Sequence, residues 1–283
     1  EWKRHLIGGP FPRMINLAAA DTNGDGVPEI VLAHGFANIA AKSTGNVVLL
    51  ESQGSLEKGW KAREIDQLTT SHRIRVARVD GQLVFINATL TGANAAPPEY
   101  RGRTPVVMYR PGVWKRELIT DQDEGVLHGV WIGRWGKEKT DSIITASFSG
   151  LHRYVRTKGK WSRVELSKGS GDAWPKSGSS DVDLTKRWMA AIEPWHGNSV
   201  VVYDPRGGGR KVIDDSLVDG HTIVAADLDG DGREEIVAGY RGGDRGVNLY
   251  RESSGEWKKT PLDRGSMSAA ACIALDLNGD QRT

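Results

Sequence analysis

An acidic turn that recurs along the chain constrains the fold more than any other sequence feature. Residues 227–235 read Asp-Leu-Asp-Gly-Asp-Gly-Arg-Glu-Glu, and residues 21–29 read Asp-Thr-Asn-Gly-Asp-Gly-Val-Pro-Glu. An apolar run follows each copy at once, and a third copy begins at residues 276–280. Glycines permit a tight reversal, and oxygen side chains at alternating positions can wrap a hard cation. The pattern therefore predicts strand-connecting turns repeated over the whole chain.

The oxygen-bearing side chains of these turns are candidate calcium ligands. They are Asp21, Asn23, Asp25 and Glu29 in the first copy, Asp227, Asp229, Asp231 and Glu235 in the second, and Asp276, Asn278 and Asp280 in the third. The pattern resembles the calcium-binding repeats of FG-GAP/VCBS β-propellers, such as those of integrin heads, which usually end on Asp rather than on Glu. An Asx-turn hairpin without an ion is the alternative, because Asp, Asn and Gly form such turns unaided.

A tryptophan marker also repeats along the chain. A basic or polar residue follows each Trp, and an apolar residue occupies the fifth or sixth place. The copies start at Trp2, Trp60, Trp114, Trp161 and Trp257, and residues 209–213 occupy the remaining gap without a Trp. Alternation of this kind is typical of an amphipathic strand with one solvated face, so the marker predicts the outer strand of a four-stranded unit.

Three further strands fit between successive markers, and the units recur roughly every 40 to 57 residues, which is typical of propeller blades. We therefore predict an all-β fold, a single β-propeller domain over 1–283 with six or seven four-stranded antiparallel blades, seven being favoured, truncated at the termini. The predicted blades span about 14–65, 72–119, 126–166, 178–213 and 220–262, with an incomplete one from 266. Residues 2–7 are predicted to form a fourth strand without a blade of its own.

The composition excludes several classes of protein. The chain carries 38 Lys and Arg against 36 Asp and Glu, which argues against a general nucleic-acid or membrane binder. No apolar run approaches the roughly 18 residues of a membrane span. The single Cys272 excludes an internal disulfide and is expected to be a small core residue. Because weak calcium loops fill where calcium is millimolar, we expect a periplasmic or secreted protein.

Three of the seven histidines fall at one position of the repeat. Counting six residues back from Asp227 and its equivalents gives His221, His128 and His72, with Ile15, and roughly Ser180 and Ala270, in the other units. In a propeller these residues open the first strands and line the mouth of the central channel. Each histidine could instead bond a neighbouring backbone carbonyl, and the three together could hold zinc or another transition metal.

Loops at the same predicted end add further chemistry. The loops between second and third strands contribute His34, Tyr100, Arg101, Arg103, Glu193, Trp195, His196, Tyr240 and Arg241, and the loop entering the fourth blade contributes Trp174 and Lys176. Histidines, a tyrosine and cationic side chains suit general acid–base work on a polar substrate. The neighbouring tryptophans suit stacking on a sugar ring. Trp195 and Arg241 could equally serve loop packing.

Residues 193–198, Glu-Pro-Trp-His-Gly-Asn, together with 174–178 and 218–222, resemble the propeller of aldos-2-ulose dehydratase-type proteins. The resemblance implies a lyase that eliminates water from a keto-sugar such as 1,5-anhydrofructose, or a relative that acts on uronate-type polysaccharides. It implies His128 or His221 as the base, Arg241 or Lys176 as the group that stabilises the enolate, and Tyr240 or His196 as the acid. From its repeat position His72 joins the predicted catalytic set. From their loop positions, the predicted substrate-binding residues are His34, Arg101, Arg103, Trp174, Glu193 and Trp195.

A different class of function stays open from the sequence. A non-catalytic propeller that binds a glycan or a protein partner would present aromatic and polar groups at the same end. Convergence of His72, His128 and His221 favours an enzyme, because titratable groups gathered in a cleft are typical of active sites. A third hypothesis is an integrin-like adhesion head, which no other feature of the sequence supports. The expected partner is a carbohydrate or a small polar substrate.

Overall fold

The computed structural model describes residues 3–57, 59–135, 138–207 and 209–279 and contains five four-stranded sheets. The first has β1 (Asn16–Ala20), β2 (Glu29–His34), β3 (Asn46–Ser52) and β4 (Trp60–Gln67); the second has β5 (Ser71–Val79), β6 (Gln82–Thr89), β7 (Arg103–Tyr109) and β8 (Arg116–Glu124); the third has β9 (Leu127–Gly133), β10 (Ser142–Ser147), β11 (Gly150–Thr157) and β12 (Lys160–Ser167); the fourth has β13 (Asp181–Leu184), β14 (Met189–Glu193), β15 (Ser199–Tyr203) and β16 (Lys211–Asp214); the fifth has β17 (Gly220–Ala226), β18 (Glu235–Tyr240), β19 (Gly246–Ser253) and β20 (Glu256–Arg264).

Within every sheet the strands are neighbours in chain order. The burial of the strands explains their sequence pattern. In β18 five consecutive residues are buried, whereas β20 alternates between exposed and half-buried positions. Inner strands packed on both faces therefore read as continuous apolar runs, and outer strands carry the amphipathic tryptophan marker. A short 3-10 helix, Ala40–Lys42, lies between β2 and β3. Among the described residues no helix is long and apolar enough to cross a membrane.

The chain divides into two compact units. Unit 1 comprises residues 1–143 and 153–164, and unit 2 comprises residues 144–152 and 165–283. Each unit has apolar clusters of its own. Val31, Leu49 and Phe85 belong to one cluster of unit 1, and Ile192 and Ile236 belong to the main cluster of unit 2.

First strands of neighbouring sheets are held together by side chains that bind backbone amides. In unit 1, Asn16 Oδ1 accepts a hydrogen bond from Ile74 N at 2.8 Å. In unit 2, Asp181 accepts from Ile223 N at 3.1 Å. In each unit the amide belongs to the next sheet along the chain. One polar side chain on a first strand therefore fixes the position of the first strand of the next sheet.

A tyrosine clamp joins successive sheets, because a tyrosine on the third strand of one sheet binds a carboxylate on the outer strand of the sheet before it. The hydroxyl of Tyr109 donates to Asp66 at 2.6 Å, and Arg116 binds the same carboxylate at 2.8 Å through Nε. Burial raises the pKa of Tyr109, so the phenol stays protonated and donates. Burial opposes ionisation of Asp66, but hydrogen bonds from Arg116 and Tyr109 prevail and lower its pKa.

Unit 2 repeats this clamp between its fourth and fifth sheets. Tyr250 donates to Asp214 at 2.6 Å, and Lys259 lies 3.0 Å from the same carboxylate. The two clamps therefore show that the sheets repeat in their polar contacts as well as in their sequence pattern.

The two ends of the chain differ from the prediction. No strand forms within the described residues 3–10 or 265–279, so the strand predicted for residues 2–7 and the first strand expected from Ala270 are absent there, and Trp2 lies outside the described residues. Apolar side chains still dock: Ile7 and Phe11 pack on a cluster that contains Leu50. Cys272 is only partly buried, and its backbone N–H donates to Thr222 Oγ1 at 3.0 Å. Burial raises the pKa of its thiol.

Candidate functional site

His72 and His221 each occupy the extra residue of a β-bulge at the start of a first strand. The register places Ser71 opposite Thr89 but Arg73 opposite Ala88, and Gly220 opposite Tyr240 but Thr222 opposite Gly239. The extra residue of a bulge has no paired residue on the neighbouring strand, and the local bend of the strand changes the direction of its side chain. Both histidines are buried, with 4% and 7% of their surface exposed. The repeat position that the sequence identified is thus a special backbone position.

In unit 1, His72 and His128 lie together. Their ring centroids are 5.0 Å apart. Phe36 packs against His72, with ring centroids 5.4 Å apart. Arg73 Nε donates to the carbonyl of His128 at 2.9 Å. Both histidines are almost fully buried. This pair is packed into the start of its strands rather than displayed on the surface.

The other predicted site residues of unit 1 occupy varied environments. His34 packs on Phe11, and its Nδ1 is buried without a hydrogen bond among the described residues. Tyr100 is buried, which raises the pKa of its phenol. Arg101 and Arg103 are exposed and face the carboxylates of Glu124 and Asp121 at 3.8 and 3.6 Å. Both arginines therefore belong to exposed ion pairs at the ends of strands.

In unit 2, His196, Asp219 and Arg241 form a polar triad. His196 Nδ1 lies 3.0 Å from Asp219 Oδ1, and Arg241 Nε donates to Asp219 Oδ2 at 3.1 Å. Arg241 Nη2 lies 3.2 Å from His196 Nδ1. A carboxylate that holds one imidazole nitrogen orients the ring, so proton exchange with a substrate would pass through Nε2.

Two loops bring the triad together through unusual backbone conformations. His196 and Asp219 have φ angles of 49° and 54°, in the left-handed region that side chains disfavour. Gly220 N donates to the carbonyl of Gly197 at 2.9 Å, and Arg241 N donates to the carbonyl of Asp219 at 3.0 Å. Backbone strain of this kind is concentrated at functional sites.

His221 lies beside the triad, with its ring centroid 5.0 Å from that of His196. Its Nδ1 lies 2.8 Å from the carbonyl oxygen of Ala270. Because a carbonyl only accepts, Nδ1 carries the proton, and Nε2 of the neutral ring is the basic nitrogen. The geometry therefore defines a tautomer suited to a general base.

Aromatic side chains border His196. Trp195 stacks against it with centroids 4.5 Å apart, and Phe148 packs against Trp195 at 5.3 Å. Trp174 meets Phe148 edge-on at 4.9 Å. Trp174 and Trp195 are both half-buried, whereas Phe148 is buried. These residues form an aromatic wall, defined as Phe148, Trp174 and Trp195.

A cavity of about 580 Å³ adjoins Arg241. Its lining residues are Arg241, Gly243, Asp244, Arg245, Arg264 and Gly265. Arg245 Nε donates to the carbonyl of Gly265 at 3.1 Å, and neither Arg245 nor Arg264 forms an ion pair with a described residue. Sequence analysis missed both arginines, and also Asp219, because these three residues do not occupy a position that repeats from unit to unit.

Three other predicted residues of unit 2 are placed differently from the triad. Glu193 is fully buried, and its carboxylate binds Arg210 Nε at 2.8 Å. Tyr240 is half-buried against the main apolar cluster of unit 2. Lys176 is exposed on a turn in which its N–H donates to the carbonyl of Ala173 at 3.1 Å.

The acidic turn of unit 2 gathers oxygen ligands. Asp227, Asp229 and Glu235 each offer a carboxylate oxygen within 4.8 Å of the other two. Burial, reinforced by the charges of Asp229 and Asp231, raises the pKa of Glu235. Arg251 Nε is 3.5 Å from Asp229 and partly offsets this repulsion. The donor set fits a hard cation.

The other two acidic turns fit a cation less closely. In unit 1 the Asn23 amide nitrogen donates to Glu29 at 2.8 Å and to Asp25 at 3.1 Å, which turns a donor toward the expected ion. Gly24 N and Gly26 N bind the carboxylate of Asp21, as in an Asx turn, but Gly230 N and Gly232 N bind Asp227 in the same way, so the Asn23 amide is what distinguishes the first turn. In the third turn, Gly279 N donates to Asp276 at 2.7 Å, and Asp280 lies outside the described residues.

Comparison with known proteins identifies relatives of this fold. The family model described as the β-propeller domain of aldos-2-ulose dehydratase matches residues 44–206. An aldos-2-ulose dehydratase from Phanerodontia chrysosporium is 26% identical over 262 residues, which cover 79% of this chain and 28% of that protein. The chain thus spans less than a third of the length of this curated relative.

Solved structures share the fold at low sequence identity. A Bacteroides fragilis NCTC 9343 protein assigned as a 6-phosphogluconolactonase gives a TM-score of 0.53 at 13% identity, covering 88% of this chain and 69% of that one. An Agrocybe aegerita lectin that recognises non-reducing terminal N-acetylglucosamine gives 0.50 at 15% identity, covering 87% and 65%. Identities this low support the shared fold alone.

Proposed function

Because this chain belongs to the family of aldos-2-ulose dehydratase β-propeller domains, we propose that it is a carbohydrate-active carbon–oxygen lyase. The observation that carries the proposal is the triad of His196, Asp219 and Arg241 beside His221. An oriented imidazole, a second imidazole of defined tautomer and a guanidinium are the groups that elimination next to a carbonyl requires. The sugar-related relative supports a carbohydrate as the substrate class.

In the proposed reaction His221 Nε2 removes the acidic C–H proton next to the substrate carbonyl. The electron pair of that bond forms an enolate, whose oxygen Arg241 stabilises. The enolate then expels the hydroxyl group on the adjacent carbon, and His196 donates the proton with which it leaves as water. His196 must be protonated in order to donate this proton, and the carboxylate of Asp219 stabilises the resulting imidazolium. His128 is the alternative base, Tyr240 the alternative acid, and Lys176 the alternative to Arg241.

The surroundings of the triad suggest the kind of saccharide. The aromatic wall would stack on the C–H face of a sugar ring. The cavity next to Arg241 has three arginines and one aspartate, Asp244, in its lining. An acidic sugar would gain charge-assisted hydrogen bonds there, so the arginines favour a uronate-type saccharide over a neutral keto-sugar.

Metal ions enter this proposal in two roles. Calcium in FG-GAP/VCBS-type turns would stabilise strand connections, held by Asp227, Asp229 and Glu235 in the turn with the better donor set. Zinc or another transition metal at the predicted channel histidines would supply a Lewis acid. A periplasmic or secreted location follows from the calcium proposal, since such loops fill at millimolar calcium.

The test is elimination measured by ultraviolet absorbance of the unsaturated product, with 1,5-anhydrofructose and with a uronate oligosaccharide. We expect His221→Ala to lower kcat by about 100-fold or more, which is the usual contribution of a general base. His128→Ala is measured in parallel to decide between the two bases. His5→Ala, an exposed histidine outside the site, is the control and should keep the parental rate. Parental turnover in both folded active-site variants would refute the assignment.

A non-catalytic glycan-binding function is the alternative that one observation favours. Trp174 and Trp195, supported from behind by the buried Phe148, would bind a sugar without any chemistry. Saturable binding of the same saccharides with no turnover, lost in Trp195→Ala, would support this function over the lyase.

A further inference from the structure

Glu193 breaks the pattern of the tyrosine clamp in one sheet. In the two clamps described above the acid is an aspartate on the outer strand of the preceding sheet, Asp66 for Tyr109 and Asp214 for Tyr250. Counting six residues from the tryptophan marker places Ser167 where Asp66 stands. Ser167 Oγ reaches the hydroxyl of Tyr203 at 3.2 Å but supplies no charge.

The missing carboxylate comes instead from Glu193. The hydroxyl of Tyr203 donates to Glu193 Oε1 in a short hydrogen bond, and Arg210 Nε donates to Oε2 at 2.8 Å. Ser179 Oγ adds a third donor at 3.2 Å. The Glu193 side chain is fully buried. Burial, followed by the negative charge of Glu193, raises the pKa of Tyr203, so its proton stays on the phenol.

This acid sits on a different element from the other clamp acids. Glu193 is the last residue of β14 and directly precedes the loop that carries Trp195 and His196. Strand pairing gives His34, Thr89 and Tyr240 as its equivalents in the first, second and fifth sheets, and none of these is acidic. The sheet that has Ser167 in place of the outer-strand aspartate is therefore followed by the sheet that has an acid, Glu193, directly before the loop of the candidate site.

The loop depends on where Glu193 is held. Gly197 folds back so closely that an added Cβ would lie 2.3 Å from the carbonyl oxygen of Glu193. Gly197 N donates to the carbonyl of Pro194 at 2.9 Å, and its own carbonyl accepts from Gly220 N. A shift of Glu193 would therefore move the left-handed residue His196 relative to Asp219.

We propose that Glu193 is a positioning residue: its carboxylate, held by Tyr203 and Arg210, fixes the loop that sets His196 on Asp219 and places Trp195 in the aromatic wall. The clamp that elsewhere only joins sheets has here been transferred to the strand that enters the candidate site. The inference rests on the proposed site, but its test needs no substrate.

The test uses two variants that separate fold from position. Glu193→Gln keeps the shape of the side chain and removes the charge that Arg210 needs. Ser167→Asp combined with Glu193→Gln returns a carboxylate to the outer strand, as in the other clamps. Melting temperature reports the clamp, and the His196 imidazole resonances, assigned with His196→Asn, report the loop. Asp66→Asn, which disrupts the same kind of clamp between the first two sheets, in unit 1, is the matched control.

We expect Glu193→Gln to lower the melting temperature and shift the His196 resonances, and the double variant to recover the melting temperature without recovering the resonances. Glu193→Asp, which keeps the charge, should restore part of the His196 signature. Asp66→Asn should lower the melting temperature and leave the His196 resonances in place. Parental His196 resonances in Glu193→Gln, or their full recovery in the double variant, would overturn the proposal. Absence of lyase activity with the expected resonance changes would instead count against the proposed function alone.

Discussion

Gly197 shows how one residue determines the candidate site. A methyl group there would lie 2.3 Å from the carbonyl oxygen of Glu193 and 2.3 Å from Pro194 N, which no side chain can tolerate. We expect Gly197→Ala to lower turnover by about tenfold or more, since a displacement of about 1 Å can cost 100-fold. Gly209→Ala is the control, because an added Cβ there meets nothing within 4 Å. Equal rates in both variants would contradict a requirement for this loop geometry.

Asp66 and Asp204 allow two ion pairs of different burial to be compared. Asp66 is bound by Arg116 and Tyr109 and is largely buried, whereas Asp204 pairs with the exposed Arg206 at 2.7 Å. Asp66→Asn removes the charge to which the buried Tyr109 hydroxyl and the Arg116 guanidinium donate, and should cost about 2 kcal/mol of unfolding free energy. Asp204→Asn should leave the midpoint of denaturant unfolding unchanged, since exposed pairs contribute little. A similar loss in both variants would show that burial does not govern these pairs.

At the scale of elements, the two acidic turns are predicted to differ in calcium affinity. The turn at 227–235 brings three carboxylates together, whereas the turn at 21–29 directs the Asn23 amide nitrogen at its acids. Calcium at about 100 times its Kd should raise the unfolding free energy by about 2.7 kcal/mol through mass action. Glu235→Gln should remove most of that gain, and Glu29→Gln less of it.

Protons should compete with calcium at the turn of unit 2. Burial and the neighbouring acids raise the pKa of Glu235, so its carboxylate is protonated before an ordinary glutamate as pH falls. The calcium-dependent rise in melting temperature should therefore shrink as pH falls from 7 toward 5. A melting temperature that ignores calcium and chelator at neutral pH would refute the calcium proposal for these turns.

At the scale of the whole molecule, the clamps make stability depend on pH. Hydrogen bonds and cationic partners, acting against burial, lower the pKa of Asp66 and Asp214 below the usual 3.8. An acid with a lowered pKa in the folded state binds fewer protons than in the unfolded state, so its contribution is complete above pH 3.8 and is lost as pH falls through the folded value.

The expected result is a decline of unfolding free energy below about pH 4 that becomes shallower in Asp66→Asn combined with Asp214→Asn. Urea unfolding between pH 7 and pH 3 measures this slope. Parallel pH profiles for the parent and the double variant would show that other carboxylates dominate acid unfolding.

Repetition in the sequence was sufficient to predict the five four-stranded sheets. Acidic turns and tryptophan markers recur because every sheet buries its inner strands and solvates its outer one, so local pattern and burial coincide. Prediction failed at residues 3–7 and 265–279, where the apolar pattern is present but strands are absent within the described residues. A strand needs a hydrogen-bonded neighbour, which a local pattern cannot supply.

The site divides in the same way between what the sequence determined by itself and what the tertiary structure decided. A shared repeat position selected His72, His128 and His221 from the sequence, because equivalent residues of a repeat occupy equivalent places. Only the fold brought Asp219 and Arg241 onto His196 and turned Glu193 from a predicted substrate ligand into a buried anchor. Loops of different sheets meet there through contacts between residues distant in sequence, and no spacing along the chain encodes such contacts.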